Sequence, residues 1–349
     1  MLSLNDNLDC LFVTLFLLLS CGSGSTKTED PKTVYLTSIA NLGKGFLDVF
    51  VTFGDMVAGA FGIKADTKKS DIGKYFTDIE KTMTTVKKKL QDEVANNGNY
   101  EKVKTVVDKF ITGTLDKIAA GAKEAAKGAT GSDVIGNAVK DQAAVPAEVA
   151  SVKALVKGIK TIVDIVLKKD EGSADSTKTE EAEKKSIGKL FSGKKDTDGT
   201  EVQAAAASAS IGAVIGADIL QAIAKSASTE ADKDIDKASN AAEIAAAKAD
   251  ANGKDFGDGQ KDAVIAAGIA LRAMAKDGKF AANNNAKDAD AINGIAASAV
   301  GKTLSTLIIA IRNTVDSGLK TINEALAAVK QEDKSAEATN PAEATTSGQ

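Results

Sequence analysis

Histidine is absent from all 349 residues. With it go the Ser-His-Asp and Cys-His arrangements, the commonest zinc ligand and the side chain that titrates near neutral pH. Tryptophan is absent too, and aromatics make up only 4% of the chain, so the 43% counted as hydrophobic is largely small, much of it alanine. Such a composition offers little large apolar surface to fill a thick globule and suits long helices packed side by side through small residues. Proline occurs only at Pro31, Pro146 and Pro341, which leaves helices almost uninterrupted. A formal net charge of −4 gives no basic excess that would point to nucleic acid.

Cysteine occurs twice, at Cys10 and Cys21, and the second is the most informative residue in the chain. It closes the run Leu11 to Ser20, far shorter than the roughly 20 residues of a bilayer-spanning helix. Gly22-Ser23-Gly24-Ser25 comes next as a flexible tether. Leu18-Leu19-Ser20-Cys21 has the spacing of a loose lipobox, so residues 1–20 read as a lipoprotein signal peptide and Cys21 as the site of diacylglycerol attachment and N-acylation. Met1 to Cys10 carries only Asp6 and Asp9, where an ordinary leader opens with Lys or Arg. A buried apolar strand or helix with a chance cysteine is the competing reading. Cleavage before Cys21 takes Asp6 and Asp9 away, so a net charge of −4 becomes −2, and no thiol remains for a disulfide or a metal.

Helical periodicity dominates the chain beyond the tether. Ile39, Leu42, Phe46, Phe50, Phe53 and Val57 fall on one face, as do Ile72, Phe76, Ile79, Met83, Val86, Leu90 and Val94. A third helix carries Val103 to Ile118 and fades in the Ala, Gly and Lys mixture of Gly121 to Gly131; a fourth carries Val152 to Leu167. These four suit an antiparallel bundle. Residues 168–200 read as a loop-rich excursion anchored by Ile187, Leu190 and Phe191, residues 203–224 as one alanine-rich helix, and residues 225–259 as polar with a short helix at 241–249. In the segment Gly257 to Phe280, Val264, Ala267, Leu271 and Met274 form the stripe of an amphipathic helix, with Gly278 placed as its left-handed stop. The final helix keeps its stripe from Val300 to Val329, and residues 331–349 read as a disordered tail. The fold class is therefore mainly α: an elongated multi-helix bundle with long polar loops at one end and little or no β. A single domain over residues 34–330 succeeds a tether at 21–33.

Three fragments imitate ligand loops and fail. Gly188 to Lys194 has phosphate-loop glycine spacing, but Lys195 stands where Ser or Thr would hold magnesium; Gly301-Lys302-Thr303 lacks its earlier glycine, the position being Ala296. Asp196 to Gly199 resembles a calcium loop, yet its first and twelfth ligand positions are Lys194 and Ala205. Carboxylates lie mostly among lysines and serines, where charge runs form solvated surface. The residues call for no enzyme, no cofactor and no metal.

Gly257 to Phe280 reads GDGQKDAVIAAGIALRAMAKDGKF. It resembles the central invariable segment of the variable large proteins of Borrelia, the surface lipoproteins of antigenic variation in relapsing-fever and Lyme spirochaetes. Ile269-Ala270-Leu271-Arg272 and Met274 to Phe280 carry the match, with Ala273 where related members often have glycine. Ala122 to Gly131 and Gly294 to Val329 look like the family's flanks. The resemblance implies an outer-membrane, lipid-anchored antigen facing the exterior, whose replacement by variant copies evades host antibodies. Its partners would be the outer membrane and antibodies, with the oligomeric state left open. The polar stretches 168–200, 225–255 and 277–290 are candidates for exposed variable surface. The alternative is an adhesin that holds a host surface ligand such as an anionic glycan through lysines like Lys87, Lys88 and Lys89; a solvated helix face is the plainer reading of those lysines.

Overall fold

The computed structural model describes residues 33–34, 36–38, 40–45, 62–96, 100–194, 196–226 and 233–330. Cys21, the leader, the tether up to residue 32, Ile39, Phe46, Phe50, Phe53, Val57 and the tail from 331 lie outside them. Helices α1 (Lys69–Asn96), α2 (Glu101–Phe110), α3 (Asp116–Gly128) and α4 (Val149–Val166) begin the fold, with a π-helical turn, Ile111–Leu115, joining α2 to α3. Then come the short α5 (Glu181–Lys185), a 3-10 turn at Ser186–Phe191, α6 (Glu201–Ala213), α7 (Gly216–Ala224), α8 (Ala241–Ala246), α9 (Asp262–Met274) and α10 (Ala286–Ala327). Among the described residues there is no strand, only isolated bridges such as Gln142 with Ala282 and Val145 with Lys279.

The stripe of α1 is buried as its spacing requires: Ile72, Phe76, Met83, Val86 and Leu90 are wholly enclosed. It faces α3 in antiparallel sense, with Gly73 against Ala129 at one end and Lys87 paired to Asp116 at the other. The third helix does not fade at Gly121 but continues to Gly128. Its small residues are the contact itself, because a Cβ at Gly121, Gly128 or Gly158 would strike the facing backbone or side chains of α3 and α4. Alanine and glycine draw no large apolar stripe for helical periodicity to show, and they permit the close approach of these two helices.

Residues 203–224 form two helices bent by 96°, not one. Val214 and Ile215 are extended, and the Asp218 carboxylate accepts from Ile215 N at 3.0 Å and from Ser173 N at 2.7 Å, which caps α7 and ties it to the preceding loop. The short helix of the polar stretch ends at Ala246, three residues early. The final helix starts at Ala286, well before Val300, and its 42 residues span about 63 Å at 1.5 Å per residue. It is long and apolar enough to cross a membrane, but more than half of its apolar stretch is buried against the other helices, as the core helix of a bundle.

The largest departure from expectation is α9. Instead of one buried stripe it is enclosed on all sides, every residue from Ala263 to Met274 being buried except the half-buried Val264. It packs against α6, α7, α8 and α10.

Candidate functional surface

A buried helix must satisfy both its ends inside the protein, because its first N–H groups and last C=O groups have no partners of their own. At the start of α9, Asp262 is buried and gathers the loop before α5: its Oδ2 accepts from Lys178 N at 2.6 Å and Thr179 N at 2.9 Å. Its Oδ1 accepts from Thr179 Oγ1 at 2.6 Å and from Ser210 Oγ of α6. Burial alone would push this carboxyl up, but hydrogen bonds from Ser210, Thr179 and Lys178 outweigh it and hold it below the usual range.

Two buried cations close the other end. Arg272 is fully enclosed and donates from Nε to Ala245 O at 2.9 Å and from Nη2 to Ala247 O at 2.5 Å, so it caps α8. Its guanidinium lies 4.6 Å above the ring of Phe191, which also meets Phe280 edge-on at 5.7 Å. Lys69, the first residue of α1, reaches the end of α9 and donates to the carbonyl oxygens of Arg272 (3.1 Å), Ala273 (2.8 Å), Ala275 (2.6 Å) and Gly278 (3.0 Å). Burial pushes its ammonium down to about 7; Asp133 and Asp277 oppose this, while Arg272 and Lys279 add to it. The sequence motif included Arg272 without giving it a role, and Lys69 carried no signal at all, since its partners lie more than 200 positions away.

Gly278 is not the left-handed stop. That conformation falls on Asp277, with φ of 65°, and Gly278 is required because a Cβ there would strike the Arg272 carbonyl. Phe280 is buried against Phe191.

The three polar stretches form a mixed shell and not a uniformly exposed one. Lys178, Glu180, Asn284 and Asn285 are exposed, but Ile187, Leu190, Phe191, Asp198, residues 241–247 and Phe280 to Ala282 are buried. Lys248 and Lys254 are half-buried and both pair at 2.8 Å with Asp234, which they hold down to about 2. The segment after α9 is stitched to the others, with Ala281 N donating to Leu190 O at 2.9 Å and Asn283 N to Gly199 O at 3.1 Å. The polar stretches therefore clamp one another while the end of α9 clamps them all.

The imitated ligand loops are structural. A Cβ on Gly188 would collide with the backbone around Phe256, Lys302 donates to Ile211 O at 2.8 Å, and Thr303 bonds within its own helix. No group of three or more acidic, cysteine or histidine side chains among the described residues is arranged to hold a metal. Of the lysines that an adhesin would use, Lys87 pairs with Asp116 and Lys88 with Asp92, both at 2.8 Å. That is the solvated helix face.

A family model described as Borrelia lipoprotein matches residues 46–326. Variable large protein 4 of Borrelia hermsii is 70% identical over 98% of this chain and 99% of its own length. Variable large protein 17 of the same organism is 67% identical over 99% of both. Among solved structures, the Lyme disease variable surface antigen VlsE of Borrelia burgdorferi superposes with a TM-score of 0.74 at 35% identity, covering 83% of this chain and 98% of that one.

Proposed function

The chain belongs to the Borrelia lipoprotein family, and from that premise we propose that it is a variable surface antigen, anchored in the outer membrane through lipid on Cys21 and seen from outside by host antibodies. The observation that carries this reading is the near-full-length similarity to two variable large proteins, joined to the likeness to a solved variable surface antigen. The physical arrangement supports it. Enclosed helices, tied at buried charges, form a frame, and polar stretches hung on that frame accept substitution at their exposed positions without touching the core. Exchange of one copy for another would then alter what antibodies reach while the fold stays the same.

The test moves residues 168–200, 225–255 and 277–290 together onto a related family member, keeping Asp234, Lys248 and Lys254 as one unit. Type-specific sera raised against this protein should track the graft. If the graft folds, as judged by circular dichroism and a cooperative melt, and the sera still track the recipient's helices, the proposed antigenic surface is wrong.

A further inference from the structure

Independently of the antigen reading, we propose that Asn252 is a site of spontaneous deamidation, at which the folded protein converts one of its own surface turns into aspartyl and isoaspartyl forms. The turn runs from Asp250 to Gly253. Asp250 Oδ1 accepts from Asn252 N at 2.8 Å, and Asp250 O accepts from Gly253 N at 3.2 Å. Asn252 is exposed, and its side-chain amide makes no hydrogen bond among the described residues. Gly253 has φ of +66° and no Cβ to obstruct its nitrogen.

The step balances without any oxidant or cofactor. The Gly253 backbone nitrogen gives up its proton to solvent and attacks Cγ of Asn252. The new N–Cγ bond closes a five-membered succinimide, the Cγ–Nδ2 bond breaks, and ammonia leaves with a proton taken back from water. A water molecule then opens the ring at either carbonyl, giving aspartate or, with the main chain rerouted through Cβ, isoaspartate. At 3.2 Å the bond from Gly253 N to Asp250 O lies at the long end of the ordinary range, and it is the contact that must open for attack.

A second Asn-Gly pair in the same molecule supplies the contrast. Asn293 lies inside α10, where its Oδ1 accepts from Ala138 N at 2.8 Å and its Nδ2 donates to Ala138 O at 3.1 Å. Attack there requires both side-chain bonds and a turn of helix to open first. A third pair, Asn97-Gly98, lies outside the described residues.

The product matters to the surface around it. Deamidation places a new negative charge beside Asp250, and the isoaspartyl form lengthens the main chain where Gly253 packs on the buried Asp198 carboxylate. Asp198 Oδ2 has no hydrogen-bond donor among the described residues, and Lys254, 3.5 Å from Asp250, already faces Asp234 and Asp236.

The test incubates the purified full-length protein at mildly alkaline pH and quantifies the peptides holding residues 252 and 293 by mass spectrometry, with isoaspartate detected by enzymatic methylation. In folded protein, Asn252 should react at least about tenfold faster than Asn293, the ratio given by a barrier difference of about 1.4 kcal/mol. In denaturant the two should converge, and Asn252→Gln should remove the methylatable product from its peptide. Equal rates in the folded protein would overturn the proposal. So would an Asn252 that reacts only after unfolding, since the turn would then protect it as the helix protects Asn293.

Discussion

Lys69 and Arg272 put two basic groups in the interior and, among the described residues, have no carboxylate in direct contact. Their partners are carbonyl oxygens, those of Arg272, Ala273, Ala275 and Gly278 for Lys69 and those of Ala245 and Ala247 for Arg272. Helix C-termini carry unpaired carbonyls and partial negative charge, so a cation there answers a need that an apolar side chain would leave open. Lys69→Met keeps the stem and deletes the donors; leaving buried acceptors unpaired should cost about 2–4 kcal/mol, read as a lower urea midpoint. A midpoint within error of the parent would mean that water replaces the ammonium. The pH dependence has a definite sign. Burial sets the folded value near 7, against 10.5 for the ordinary side chain, so the unfolded chain binds more protons between those values. The cost of this buried charge is present in full below 7 and is relieved as pH rises toward 10.5. Stability of the parent relative to Lys69→Met should therefore rise across that window, and a flat difference would show that the carbonyl cage holds the proton throughout.

Among the elements, α3 and α4 show how glycine content can be misread. Alanine in place of a helical glycine ordinarily gains up to about 1 kcal/mol. At Gly158 the added methyl would collide with the Ala125 and Gly121 backbone, and overpacking of about 1–3 kcal/mol should win, so Gly158→Ala should lower the melting temperature. Gly212 in α6 is exposed and has open space where a Cβ would stand, so Gly212→Ala should be neutral or raise it. Opposite signs at the two positions are the check; the same sign would show that propensity alone decides. The burial of α9 gives a harsher case, since Leu271→Asp would enclose a charge with no partner and should cost several kcal/mol, enough to abolish the cooperative thermal melt monitored by circular dichroism.

For the whole molecule, enclosure of α9 separates what is constant in space from what is reachable. Antibodies raised against an isolated peptide of residues 262–274 should bind denatured protein and fail on the folded form in solution, because all but Val264 of that segment is buried. Equal binding to both would mean that α9 opens readily. The lipid anchor proposed at Cys21 is a separate matter. Acyl chains contribute about 0.8 kcal/mol per buried methylene, and more than one chain is needed for stable anchoring. Cys21→Ala should shift the protein from the detergent phase to the aqueous phase, and continued partition with detergent would refute the anchor.

Local signals are set by neighbours three and four residues apart, which is why the stripes of α1, α4 and α10 were legible in the sequence and fell on buried faces. The family, too, was legible in the Gly257 to Phe280 segment. What local order cannot hold is pairing between distant residues. The break at Val214 and Ile215 depends on Asp218 reaching Ser173 as well as its own cap. Small residues of α3 read as fading helix until α4 is laid against them, and α9 reads as amphipathic until α6, α7, α8 and α10 close around it. Lys69 looks like one more surface lysine, because the carbonyls that draw it inward exist as a cage only once α1 and the end of α9 meet. Sequence alone determined the apolar stripes and the family; tertiary structure decided where helices break and which charges are interior, because burial belongs to the assembled surfaces and not to any stretch of chain.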